Sequence, residues 1–272
     1  MSEQITLYTS KSSPYAHRVE LALAEVGASY QSHEISLQHK PRWYAHRINP
    51  ANEVPAMTYG GPLVPPTRPS ADSTKITQSL IINEFTADLY PDSTFTPKNA
   101  VSRAKARFFI ETVEKKFVPH CRAFIWRGGS TDALTNSLEY LQTILPENAK
   151  FAVCNDFTIA DAAIAPFIAQ LVVSLDNNLG GYIDGEAEKV LATLRGPKCS
   201  KVWRYWQAIR EWPSFRATFD EDYTRAVFLT TCPQIRARTQ AARDRMVTRL
   251  HRREIRRPHV FEVTDHDSSL CT

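Results

Sequence analysis

Up to about residue 90 the apolar residues of this chain alternate between a period of two and a period near 3.6; beyond it only the longer period survives. A sequence that changes period once in this way predicts two layers of different kinds. One is a small α/β unit of strands and helices, the other an all-helical unit, each burying its own apolar faces. At 272 residues there is length enough for both cores. No repeat of roughly 20 to 50 residues is visible, which excludes a solenoid.

In the first part, Ile5 to Ser10 reads as a strand that turns through Lys11-Ser12-Ser13-Pro14-Tyr15 into a helix. That helix carries Val19, Leu21, Ala22 and Leu23 on one face, and Gly27 suits its C-terminal end. Tyr30 to Leu37 gives a second strand, parallel to the first through a right-handed crossover. Lys40 to Ile48 predicts a short helix stopped by Asn49-Pro50, and Val54 to Tyr59 a third strand. Gly60 to Ser73 holds four prolines and two glycines and predicts a surface loop, read either as a solvated insertion or as a lid or subunit contact. From Ile76, the residues Leu80, Ile81, Ile82, Phe85 and Leu89 mark a helix ending near Tyr90-Pro91. The order is βαβα followed by ββα over residues 1–91, with 92–99 as a linker.

Residues 100–230 read as helices throughout. A helix over Arg103 to Trp126 should kink or break at Pro119. Thr131 to Leu145 and Val202 to Glu211 are two further helices, and Trp212-Pro213-Ser214-Phe215 turns away from the second. Thr158 and Asp161 have the spacing of a capping box, opening a nearly all-apolar helix, Ala162 to Leu175, that must lie in the core. No stretch reaches the roughly 18 uncharged apolar residues of a membrane span. The N-terminus runs straight into a strand without the pattern of a signal peptide, so a cytoplasmic location is expected. The five cysteines, Cys121, Cys154, Cys199, Cys232 and Cys271, form no CxxC pair, and neither a disulfide framework nor a metal site is expected.

The net charge of +4 divides unevenly. From Arg225 to His259 there are ten arginines against Asp244 and Glu254, so the rest of the chain is acidic. Within this basic extension, 231–272, a helix is predicted over 235–256 and a frayed end over Val260 to Thr272. It lacks the interleaved aromatics that stack on single strands, and its apolar face is thin for membrane insertion. A solvated helix packed on its own acidic body is expected, with neither nucleic acid nor membrane as partner.

Three elements in a fixed order carry a resemblance. They are the turn Ser13-Pro14-Tyr15-Ala16, then Val54-Pro55 entering a strand, then Gln78-Ser79 entering a helix. With the run Leu37 to Trp43 and Asn49-Pro50, the chain over residues 5–228 resembles the cytosolic glutathione transferases, and within them the omega-type enzymes, particularly fungal ones. The resemblance implies a thioredoxin-like N-terminal domain, an all-helical C-terminal domain, a homodimer, and glutathione as co-substrate with no metal. It implies that Val54, before a cis Pro55, presents its backbone to glutathione. Gln78 and Ser79 would take the γ-glutamyl end at a helix N-terminus, and Lys40 the glycyl carboxylate.

In omega-type proteins the residue before that first proline is usually cysteine; here it is Ser13. Serine without an adjacent base is a poor nucleophile. His17 is expected to face outwards, and the role left to Ser13 is to stabilise the bound thiolate by a hydrogen bond at a helix N-terminus. Conjugation to a hydrophobic electrophile, or glutathione-dependent peroxidase chemistry, is therefore expected over deglutathionylation. This is the chemistry of xenobiotic detoxification. Tyr15, Phe124, Trp126, Arg127 and Tyr182 are candidates for the electrophile site, with ordinary core packing as the competing reading of each. The competing function is a carrier, or ligandin, of aromatic and phenolic compounds.

Overall fold

The structure is a computed structural model that describes residues 3–255. Cys271 and the segment from Val260 to Thr272 lie outside the described residues. Four strands form one sheet in the order β2-β1-β3-β4: β1 (Ile5–Thr9), β2 (Gln31–Glu34), β3 (Ala56–Tyr59) and β4 (Thr74–Thr77). β1 runs parallel to β2 with Leu7 opposite Ser32, and antiparallel to β3 with Leu7 opposite Met57. The parallel step needs a crossover, supplied by α1 (Pro14–Glu25), whose Val19 and Leu23 pack with Ile5, Leu7 and Met57. Gly27, at φ +65°, takes the left-handed conformation that ends this helix.

α2 (Arg42–Arg47) follows β2, and α3 (Ser79–Leu89) follows β4, completing the predicted βαβαββα order. Ile76 belongs to β4, not to the helix predicted from it. An apolar residue near a strand's end, three positions before a helix, satisfies either period. The Gly60–Ser73 loop is tied down by Tyr8, whose hydroxyl donates to Pro66 O at 2.7 Å, and by Arg47, which donates to Thr67 O.

After α3 every element is helical. The predicted break near Pro119 takes the form of a π-helical turn, Val113–Phe117, between α4 (Ala100–Thr112) and α5 (Val118–Arg127). Pro119 then sits in the first turn of α5, where its missing N–H costs nothing. α6 (Thr131–Ile144) precedes α7 (Ile159–Asp176), which has the predicted capping box. Thr158 accepts from Ala160 N–H, and Asp161 accepts from Thr158 N–H at 2.8 Å. By length and composition α7 could cross a membrane, but 94% of it is buried inside the protein. α8 (Glu186–Arg195), which was not predicted, and α9 (Ser200–Arg210) pack on it, and α10 (Pro213–Thr218) packs on α1 and α9. The last helix, α11 (Glu221–Ile255), begins well before the predicted 235 and packs on α5 and α7.

Candidate active site

The turn leaving β1 is closed by Ser13 N–H donating to Ser10 O at 2.8 Å. Ser13 then caps α1: its backbone is extended, and its Oγ accepts from Ala16 N–H at 3.3 Å. Capping uses a lone pair of the hydroxyl and leaves its hydrogen free to donate, so capping and ligand contact are compatible. Ser13 is 7% exposed and lies where two cavities meet, of about 440 Å³ and about 680 Å³. It is the one residue that lines both.

The smaller cavity gathers Lys40, Val54, Pro55, Gln78, Ser79 and Tyr15 around Ser13. The Val54–Pro55 peptide bond is cis. The loop before it is braced from α2, because Tyr44 Oη and Asn49 Nδ2 both donate to Glu53 O, at 2.7 and 2.8 Å. Lys40 Nζ donates to Asn52 O at 2.5 Å, which fixes the ammonium at the rim with N–H groups to spare. Across the cavity, Gln78 stands between β4 and α3 at φ +72°, a left-handed backbone that side chains other than glycine's adopt at a cost. Unlike α1, helix α3 has no side-chain cap. The N–H groups of its first turn are therefore left to another acceptor, and the helix dipole favours an anion there.

Arg18 ties this corner together. It is 1% exposed; Nε donates to Ala163 O of α7 at 2.7 Å, Nη1 reaches Ser79 Oγ at 3.4 Å, and Nη2 pairs with Glu114. Its guanidinium lies 4.5 Å from the ring centroid of Phe167. Burial lowers its pKa and Glu114 opposes the shift; an arginine so paired stays charged. Arg18, Glu114 and Arg122 were not singled out from the sequence, and Asn49 only as a helix stop and part of the resemblance. A charged residue set among the apolar positions of α1 was the available signal for Arg18.

The larger cavity lies between α1, β2 and α7 on one side and the segment around α10 and the start of α11 on the other. Its walls are polar and acidic, with Glu20, Glu34, Asp220, Glu221 and Asp222 against Lys11. His17 does not face outwards as expected. It is buried, with Nε2 at 2.9 Å from Thr218 Oγ1 and its ring stacked on Phe219. Thr218 donates its own hydroxyl hydrogen to Ser214 O at 2.8 Å, so Nε2–H is the donor to Thr218. Burial pushes the imidazole down to about 3, which keeps it neutral, and it is no base for Ser13.

Of the five candidates for the electrophile site, Tyr15 alone lines either cavity. It packs edge-on to Phe167, and its hydroxyl accepts from Arg122 at 3.1 Å. Phe124 and Tyr182 stack on each other in the helical core with centroids 4.5 Å apart, and Tyr182 donates to Ser174 O. Trp126 packs edge-on to Phe228 of α11, and Arg127 is exposed at the end of α5. Phe124, Trp126 and Tyr182 therefore serve the core and not the cleft, the last two packed against α11, and Arg127 serves neither.

The description "Glutathione S-transferase, N-terminal domain" matches residues 7–91. Glutathione transferase Omega 1C from Trametes versicolor is 45% identical, with a TM-score of 0.82 over 86% of this chain and 98% of that one. Glutathione transferase Omega 2S from the same organism, solved in complex with 2,4-dihydroxybenzophenone, is 38% identical with a TM-score of 0.79, over 84% of this chain and 98% of that one. The stringent starvation protein A homolog of Coxiella burnetii is 25% identical over 223 residues, covering 80% of this chain and 92% of that protein.

Proposed function

Because this chain belongs to the glutathione transferases, with omega-class enzymes as its structural neighbours, we propose that Ser13 stabilises the thiolate of glutathione bound in the smaller cavity for attack on an electrophile in the larger one. The observation that carries this reading is the position of Ser13, shared by both cavities with a hydroxyl hydrogen to donate. Glutathione has two carboxylates, an ammonium and a thiol, and the smaller cavity offers a complement to each. The open N-terminus of α3 with Gln78 and Ser79 suits the γ-glutamyl carboxylate, and the carboxylate of Glu53 or Glu114 suits the ammonium beside it. Lys40 suits the glycyl carboxylate, the backbone of Val54 suits the peptide, and Ser13 suits the sulfur.

Binding then releases the thiol proton to solvent, since no base accompanies Ser13. The thiolate forms the new bond to the electrophile while the leaving group departs with its electron pair. With a hydroperoxide as electrophile, the thiolate takes the distal oxygen to give the sulfenic acid of glutathione; the O–O bond breaks, the alkoxide leaves and takes a proton from water, and a second glutathione converts the sulfenic acid to the disulfide and water. The acidic walls of the larger cavity, in place of the apolar pocket expected, favour neutral or cationic electrophiles over anionic ones. A dimeric, cytoplasmic protein remains part of this proposal by family resemblance.

The second reading is carriage of phenolic compounds, favoured by the 2,4-dihydroxybenzophenone bound to the related Omega 2S protein. Calorimetry of glutathione binding at neutral and mildly acidic pH, wild type beside Ser13→Ala, separates the two. Proton release that depends on Ser13 is the expected result. Binding without it favours carriage, and absence of binding refutes the use of the smaller cavity for glutathione.

A further inference from the structure

The basic extension divides into two faces. Arg236 and Arg243 are inner-face anchors: Arg236 donates to Gly180 O and Asn178 O and pairs with Asp184, and Arg243 donates to Gly128 O at 2.9 Å. Most of these acceptors are backbone carbonyls, and among the described residues Asp184 is the one carboxylate bonded to these two arginines, so the body neutralises only part of the charge of α11. A different register, 238, 245, 249 and 252, repeats at intervals of 7, 4 and 3 residues. At 100° per residue these four positions fall within roughly 60° of arc, a third of a turn from the packed face, along about 21 Å of helix. All four are arginine. Arg238 and Arg245 are exposed, and among the described residues no carboxylate pairs with either.

The choice of cation is one-sided too: the chain has no lysine after Lys201. Arginine's planar fork matches phosphate oxygens, whereas a merely solubilising surface uses lysine equally well. We propose that this stripe of α11 binds the phosphate backbone of a nucleic-acid duplex, without reading its sequence. A duplex needs no stacking aromatics, and a helix about 10–12 Å across is the element that the major groove admits. A membrane is disfavoured because Phe228, Cys232 and Ile235 of α11 are turned to the body, and the exposed Leu229 and Met246 stand too far apart along the helix to make an apolar face.

The test is titration of a short labelled DNA duplex with the full chain over a range of salt. Four arginines on phosphates predict a slope of about −3.6 in log K against log salt, or roughly 150-fold weaker binding between about 50 and 200 mM. Arg238→Gln/Arg245→Gln should cut that slope by about half while glutathione binding stays unchanged. An unaltered slope in this variant overturns the proposal. So does equal binding to polyglutamate, which would make the stripe a general anion exchanger, and so does binding to phosphatidylserine vesicles in place of the duplex.

Discussion

His17 makes the protein's stability depend on pH in a way that one substitution isolates. Its ring is buried against Phe215 and Phe219, its one donor is spent on Thr218, and the folded chain resists protonating it until about pH 3. The unfolded chain takes up that proton near pH 6.5. Between the two values the unfolded state binds more protons, so stability falls as pH drops below 6.5 and keeps falling until the folded ring titrates. At pH 5 the loss from this residue is 1.5 units at 1.36 kcal/mol each, about 2 kcal/mol. Asp161 acts in the opposite direction: burial lifts its carboxyl to about 6, so its contribution is present at low pH and lost as pH rises through that value. The net wild-type profile therefore mixes signs, and the difference between two proteins is the informative quantity. His17→Gln keeps an amide donor for Thr218 and cannot titrate. Urea unfolding at pH 7.5 and pH 5 should show wild type losing about 2 kcal/mol more than the variant between the two. Equal losses would refute the neutral, buried imidazole and the placement of Thr218 and Phe219 against α1.

Two other substitutions have expected outcomes. Asp161 accepts from Ala152 N–H, Thr158 N–H, Thr158 Oγ1 and Tyr205 Oη, so in Asp161→Asn the amide NH₂ opposes one of the two backbone donors whichever way it turns. The stranded N–H should cost about 1 to 3 kcal/mol in urea unfolding, with glutathione affinity little changed. Ser13→Cys should bring up thiol-transfer activity towards mixed disulfides, because a thiol at the start of α1 ionises readily. No gain would mean that residue 13 does not meet the sulfur.

The sheet and most helices were legible because their signals are local. Alternation in Ile5 to Ser10, the glycine after α1, and the Thr158–Asp161 spacing each specify structure within a few residues. The gathering of Ser13, Pro55 and Ser79 at one cavity was legible because all three stand at the starts of elements, where they have characteristic neighbours. The wall of the larger cavity was not. Phe124, Trp126 and Tyr182 have the composition of a pocket wall, and only the path of α11 across them makes them core. Glu221 to Cys232 carries no strong period and runs into Pro233, so the early start of that helix was hidden. Arg18 was missed for a related reason: its partners Ser79, Glu114 and Ala163 lie far along the chain, and sequence offers no account of a charge balanced at such range.

The two helices that meet at the site begin differently, and the difference has a thermodynamic side. α1 brings its own cap in Ser13, so its first turn is complete before anything binds. α3 starts at a residue with strained backbone and no capping side chain. A carboxylate seated there, as proposed, would act as a removable cap, finishing the helix when it arrives and unfinishing it when it leaves. Occupancy and the integrity of that turn then become one equilibrium: the ligand is held by the same N–H groups whose exposure makes the empty turn prone to fray, and the fold is steadier with its substrate than without it.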